Sequence, residues 1–194
     1  FYEAADKRII LSAKKGYSAH EGHVVGCEFN GLKTIENDVG AFIIIGNNFH
    51  SMGACLMVEK PVFLLDVYND DIVEMGDVRN KIIRQRAMSI EKFKDSKVIG
   101  ILQEMKAGQN FGMAKVAKKK IEEAGKVGII ITLSEFTPDK LTNFNTIKAF
   151  VSLACPRIAM DDFAKYGKPI LTYKEMLVAV GEKKWEDLLE SGFW

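Results

Sequence analysis

The chain has 194 residues, 47% of them hydrophobic and 27% charged, with a formal net charge of +1. That length holds one sizeable domain or two compact ones of about 90 to 100 residues, and the composition is that of a packed globular chain rather than a disordered one. Near-neutral charge gives no overall field for nucleic acid or an anionic membrane, and three widely spaced cysteines form neither a disulfide framework nor a CxxC zinc site.

No apolar run reaches the roughly 18 to 20 residues of a membrane span, and the start has neither an initiator Met nor a signal-peptide core. A cytoplasmic location, and a chain that is a piece of a longer protein, are the expectations. Tyr2, Ala5, Ile9 and Ala13 recur at helical spacing and Gly16 follows as a helix-ending glycine, which predicts a helix over residues 1–15. In a parallel α/β unit a strand precedes such a helix, so the chain is expected to open inside a fold.

His23-Val24-Val25 predicts a short strand leading to Cys27, and Leu32, Ile35 and Val39 a helix after it. Residues 41–45 read as a buried strand, 46–50 as a connecting segment, 54–58 as a short helix with Cys55 facing the core, and 62–65 as a strand behind Lys60-Pro61. From Asp77, the stripe Val78, Ile82, Ile83, Ala87, Ile90 and Phe93 predicts a long helix joining two domains. The expected division is 1–76, a connecting helix 77–96, and 97–194.

In the second part, residues 97–102 and 127–133 read as strands around a helix marked by Met113, Ala117, Ile121 and Ala124 and ended by Gly125. On that helix, Lys118-Lys119-Lys120 reads as a solvated face. Thr137-Pro138 is a helix start, with a capping residue followed by proline at the first helical position. The uncharged run 149–154 is a buried strand, and Pro156 stops pairing just beyond it, so Cys155 is presented at a strand exit. Thr172 and Glu175 form a capping box, Gly181 ends that helix, and an amphipathic tail carries Trp185, Leu188 and Leu189.

The two parts repeat one another. Ala41-Phe42 recurs as Ala149-Phe150 and Lys60-Pro61 as Lys168-Pro169, each pair 108 positions apart (149 − 41 and 168 − 60). The fold class is therefore α/β, with repeated Rossmann-like domains whose short parallel sheets are flanked by helices. Position 155 − 108 is Asn47 rather than Cys27, so the two cysteines leave different strands.

Soft thiolates suit zinc, copper(I) or an iron-sulfur cluster when they converge in space, and a lone cysteine is otherwise a buried inert residue. Lys106-Ala107-Gly108-Gln109 lies between a strand and a helix start, where free amides suit a carboxylate or phosphate, or where a plain surface loop stands. Arg157 is placed to pair with a carboxylate, or to be held by Asp161 and Asp162. His23 and His50 lack the second ligand four residues on that a zinc helix shows and stay outside the metal set.

Phe150-Val-Ser-Leu-Ala-Cys155-Pro-Arg-Ile-Ala-Met-Asp-Asp162 resembles the third cysteine motif of the archaeal diphthamide synthase iron-sulfur enzymes, and Gly26-Cys27-Glu28-Phe29 resembles their second. The similarity runs from about residue 22 to residue 181, through Phe49-His50, Lys60-Pro61-Val62, the Lys106 to Gln109 segment and Lys168-Pro169-Ile170-Leu171-Thr172. What the resemblance implies is a transferase, 2-(3-amino-3-carboxypropyl)histidine synthase. In that family three cysteines, one from each of three similar domains, hold a 4Fe-4S cluster and leave one iron open. S-adenosylmethionine binds there, and one-electron reduction gives a 3-amino-3-carboxypropyl radical that attacks C2 of a histidine on translation elongation factor 2, the first step of diphthamide biosynthesis.

Residue by residue, the resemblance makes Cys27 and Cys155 the second and third metal ligands, assigns Phe49-His50 to the site lining, and leaves Lys106, Gly108, Gln109 and Arg157 for the co-substrate. The first ligand has no counterpart, so the family's first domain is expected to be absent. Cys55 falls where the family has an ordinary helix and is expected in the core. A homodimer, an outside one-electron reductant, and no nucleic acid or membrane partner complete the expectation. Two other readings stand beside it: a ligand-clasping duplicated α/β binding module, and a non-catalytic partner subunit of the same pathway.

Overall fold

A computed structural model describes residues 7–105, 113–160 and 165–193. By contacts the chain divides into two compact units, Phe1–Asn80 and Lys81–Trp194.

The first unit carries α1 (Asn30–Lys33), a 3-10 turn (Glu36–Asp38), β1 (Phe42–Ile45), α2 (Asn48–Met57), β2 (Val62–Asp66) and β3 (Asp71–Glu74). Its sheet has the order β1-β2-β3, with β1 and β2 parallel and β3 antiparallel to β2. The antiparallel strand is an addition to the all-parallel expectation, and its cause is local. The Asp66 carboxylate accepts the amides of Tyr68 and Asn69 at 3.0 and 3.2 Å, and Asp70 takes a left-handed φ of 50°. Such a side-chain-closed turn sends the chain straight back along β2.

Four sequence expectations fail or are altered in this unit. Residues 7–15 form no helix; Ile9 of the expected apolar face is 59% exposed, and the Ser12 carbonyl is taken by the Gly22 amide at 2.8 Å. A short amphipathic segment holds as a helix only when its apolar face is buried, and here it is not. Gly16, at φ 52°, belongs to a turn that the Ser18 amide closes onto the Lys15 carbonyl. Nor do residues 23–25 form a strand: Val25 makes a single isolated bridge to Glu28 across a tight turn. The strand expected over 41–45 is present, but it is half-exposed rather than buried: Phe42 and Ile44 turn inward while Ile43 and Ile45, the latter 67% exposed, lie on the open face. The helix expected from Leu32 onward is only the four residues of α1 and the 3-10 turn.

A long helix, α3 (Gly76–Lys94), runs through the boundary between the units. The second unit continues with β4 (Val98–Glu104), α4 (Ala114–Glu123), β5 (Val127–Leu133), α5 (Pro138–Thr142), β6 (Ala149–Ser152), α6 (Arg157–Met160), β7 (Ile170–Thr172), α7 (Tyr173–Ala179) and α8 (Trp185–Ser191). Its sheet is all parallel, in the order β5-β4-β6-β7. Central β6 is buried at every residue, as an uncharged run in a sheet covered on both faces must be. Close packing at its centre requires Gly100, since a Cβ there would meet Phe150 Cδ1 at 2.5 Å. Thr137 and Pro138 start α5 and the Thr172–Glu175 capping box starts α7, both as expected. Lys118 and Lys119 pair along the exposed face of α4 with Glu122 and Glu123.

The repeat is exact in register. Phe42 faces Val62 and Phe150 faces Ile170, each residue shifted by 108 (150 − 42 and 170 − 62). The Phe42 amide donates to the Pro61 carbonyl at 2.8 Å, and the Phe150 amide to the Pro169 carbonyl at 2.9 Å. Lys-Pro before a strand thus plays one role in both units: its carbonyl opens the parallel ladder.

Candidate metal-binding thiols and their supports

In the second unit the chain leaves β6 through Leu153, whose amide still bonds the Leu102 carbonyl at 2.9 Å. Two residues later Cys155 stands just outside α6, next to Pro156, which precedes the first helical residue Arg157. The Cys155 carbonyl accepts the Ile158 amide at 3.1 Å, and the Pro156 carbonyl accepts Ala159 and Met160 at 3.1 and 3.0 Å. Pro156 thus both ends the strand and starts the helix, where its missing N–H costs nothing. The thiol is half-buried. Arg157, the first residue of α6, is exposed. Lys106, Gly108, Gln109, Asp161 and Asp162 lie outside the described residues.

In the first unit Cys27 sits in the turn that the Glu28 amide closes onto the Val25 carbonyl at 2.8 Å. This replaces the expected strand exit. Its thiol is also half-buried. The turn rests on α2: a Cβ at Gly26 would lie 2.4 Å from Phe49 Cε1. Phe49 is held in the first turn of α2, which Asn47 caps by accepting the His50 amide at 3.2 Å. Two motifs 22 positions apart (49 − 27) are therefore in contact within one unit, with Phe49 as the shelf under the Cys27 turn. Asn47 and Cys155 are counterparts in the repeat (155 − 108), but α2 begins directly after Asn47 while α6 begins two residues after Cys155.

Cys55 is a different kind of thiol. It is 3% exposed and donates to the Met52 carbonyl at 3.1 Å, while the Arg79 guanidinium holds its carbonyl at 2.8 Å. Burial pushes its pKa up to about 12, with Arg79 pulling it down and Glu74 adding to the rise. It is core, as expected. His23 accepts the Ala19 amide at 2.9 Å and stacks on His20. Among the described residues no group of three or more His, Cys, Asp or Glu gathers to hold a metal ion.

Sequence reasoning missed Arg86. It is fully buried on α3 and forks onto an equally buried Glu175, Nε to Oε1 and Nη2 to Oε2 both at 2.6 Å. The signal was available: Arg86 interrupts the apolar spacing Ile82, Arg86, Ile90, and a charge on a buried face needs a partner. One more buried group stands out. Ser152 Oγ, at the end of β6, has no hydrogen-bond partner among the described residues.

Comparison with known proteins places this arrangement. The family model described as "Putative diphthamide synthesis protein" matches residues 3–189. The chain belongs to the diphthamide synthesis protein family. It is 30% identical over 193 residues to 2-(3-amino-3-carboxypropyl)histidine synthase of Pyrococcus horikoshii, covering 97% of this chain and 55% of that protein. It is 35% identical over 159 residues to subunit 1 of the synthase of Saccharomyces cerevisiae, covering 81% of this chain and 37% of the yeast one. The crystal structure of Dph2 from Pyrococcus horikoshii with a 4Fe-4S cluster superposes with a TM-score of 0.81 at 26% identity, over 94% of this chain and 52% of that one. The chain thus spans about half the length of the archaeal family members it matches, and its α/β fold is theirs.

In donor chemistry the two motif thiols fit an iron-sulfur centre. Thiolate is the ligand such clusters take, and both thiols are partly open to solvent where Cys55 is not. Two are fewer than the three that would leave one iron of a cubane open.

Proposed function

We propose that this chain is part of a 2-(3-amino-3-carboxypropyl)histidine synthase, a transferase of the first step of diphthamide biosynthesis, and that Cys27 and Cys155 are two ligands of its 4Fe-4S cluster. The reading is carried by one contrast: the two cysteines in the family motifs are half-buried at chain turns, while Cys55 is sealed in the core. Family membership and the cluster named for the archaeal Dph2 structure support it.

When bound, the cluster would supply one electron and an open iron to S-adenosylmethionine, whose Cγ–S bond would break into methylthioadenosine and a 3-amino-3-carboxypropyl radical. Addition of that radical at C2 of a histidine on elongation factor 2 would be followed by loss of a proton to solvent and return of one electron to the oxidised cluster, which restores the aromatic ring and leaves the transfer redox-neutral. The part of this chain is to present two thiolates and to orient the co-substrate. Arg157, two residues past Cys155 and exposed, suits the carboxylate of the methionine moiety. Lys106, Gly108 and Gln109, between the end of β4 and the start of α4, are assigned to the same molecule. A homodimer acting in the cytoplasm, with an outside one-electron reductant, completes the proposal; no described helix is long and apolar enough to cross a membrane.

The test is anaerobic reconstitution of the chain with iron and sulfide, reading bound iron and the thiolate-to-iron absorption. Cys27→Ala and Cys155→Ala are expected to lose most of both, and Cys55→Ala neither. Equal losses at all three cysteines, or iron uptake indifferent to Cys27 and Cys155, would sink the ligand assignment. Transfer of label from S-adenosylmethionine to elongation factor 2, in the full-length protein carrying the same substitutions, tests the reaction.

A further inference from the structure

We propose that the buried Arg86–Glu175 pair is a positioning device for Cys155, setting where its thiolate stands by gripping the short helix behind it. This rests on the reading of Cys155 as a cluster ligand.

The described part of α6 is the four residues Arg157–Met160, and so short a stretch gains much from an outside hydrogen bond. Arg86 provides one: Nη1 donates to the Ala159 carbonyl at 2.7 Å. The other arm, Nη2, donates to the Ile170 carbonyl of β7, also at 2.7 Å. One planar guanidinium thus ties the helix that begins two residues past Cys155 to the strand beside β6. Arginine suits this, because its donors lie in a rigid plane that a lysine ammonium cannot reproduce.

Glu175 fixes the guanidinium in turn. Its Oε2 accepts the Thr172 amide at 2.7 Å while its own amide bonds Thr172 Oγ1 at 3.3 Å, so the carboxylate is anchored in the capping box of α7. No stability argument requires a charge pair here, since well-packed apolar residues of like volume are commonly as stable as a buried ion pair. What an apolar replacement cannot do is hold the Ala159 and Ile170 carbonyls at set positions. The repeat sharpens the point. Position 175 − 108 is Val67, an exposed residue, and the helix that follows Asn47 in the first unit is the ten-residue α2, long enough to carry its own ladder. Among the described residues the grip belongs to the unit that carries Cys155 where the other carries Asn47.

The experiment compares Arg86→Met/Glu175→Gln with the wild-type chain. Methionine fills the arginine's place and glutamine keeps the capping box. Alkylation of Cys155 is followed by peptide mass spectrometry without metal, with Cys27 as internal control. Losing a charged hydrogen bond that closes a local opening is expected to speed Cys155 labelling about tenfold, with Cys27 unchanged. After reconstitution, the electron paramagnetic resonance signal of the reduced cluster is expected to shift. If the double variant does not fold, Arg86→Lys keeps a charge beside Glu175 but reaches fewer of the four acceptors, and the same selective acceleration is expected. Unchanged Cys155 labelling in a variant with the wild-type urea midpoint would overturn the proposal and leave the pair a purely structural one. The labelling result does not depend on cluster binding, so a failure of Cys155→Ala to lower iron uptake counts against the ligand reading alone.

Discussion

Gly26→Ala asks whether the turn carrying Cys27 is set by its contact with Phe49. The new Cβ would lie 2.4 Å from Phe49 Cε1 and 2.8 Å from Cδ1, against the roughly 3.5 Å of a relaxed carbon–carbon contact, so ring or turn must move by about 1 Å. The ring is 8% exposed in the first turn of a capped helix, which leaves the turn as the softer partner. Overpacking of this kind costs about 1–3 kcal/mol. Gly26 does not take a left-handed φ, so alanine also restricts the unfolded chain and returns about 0.4–1 kcal/mol. The clash wins, with a net loss of about 1 kcal/mol or more. Urea unfolding followed by circular dichroism measures it, and labelling of Cys27 is expected to quicken in the same variant. In a Phe49→Leu background the ring edge is gone and the substitution should be neutral, so a double-mutant cycle should show a coupling of about 1–2 kcal/mol. Equal cost in both backgrounds, or a stabilised single variant, would refute the contact.

Three further outcomes are expected. Near neutral pH the native chain should be alkylated at Cys27 and Cys155 but not at Cys55, whose buried thiol, pushed up to about 12, stays protonated; labelling of all three at one rate would show that Cys55 is not in the core. Burial raises the pKa of the Glu36 carboxyl, but the Glu59 and Lys60 amides and Lys33 outweigh it and hold the group below its ordinary value of 4.5. Its stabilising contribution is complete above that value and lost as pH falls through the lower folded one, so the advantage of wild type over Glu36→Gln should shrink on acidification; an advantage that grows would contradict this. Ser152→Ala removes a buried hydroxyl that has no partner among the described residues and should raise stability by about 0.5–1 kcal/mol in urea unfolding, whereas a loss would mean that the hydroxyl is satisfied by something it binds.

Much of the second unit was legible in the residues because its signals are local and strong. An uncharged run such as 149–154 has only one place in a parallel sheet, the centre, and β6 is there. Caps are equally local: Thr137 with Pro138, and Thr172 with Glu175, mark helix starts whatever lies around them. The 108-residue offset was plain in four residue pairs, and the ladder register bears it out. The place of Cys155 was also legible, since an apolar run stopped by Pro156 puts the residue between them at a strand exit, and the chain leaves β6 there.

Tertiary structure decided the rest. Ile9 and Ala13 have helical spacing, but spacing is only a demand for a buried face, and Ile9, 59% exposed, finds none. Residues 23–25 have strand-forming side chains, yet a strand exists only through a partner, and the chain turns at Gly26-Cys27 instead. That Gly26 is a glycine because Phe49 lies against it follows from a contact between segments 23 residues apart (49 − 26), which no local pattern records. Arg86 is the clearest case. Its position in an apolar stripe announced a buried charge, but only the folded unit brings Glu175, Ala159 and Ile170, each more than 70 positions away, within reach of one guanidinium. Periodicity and capping act over a few residues and can be read along the chain; the partner of a buried polar group is chosen by packing, and packing is settled only in space.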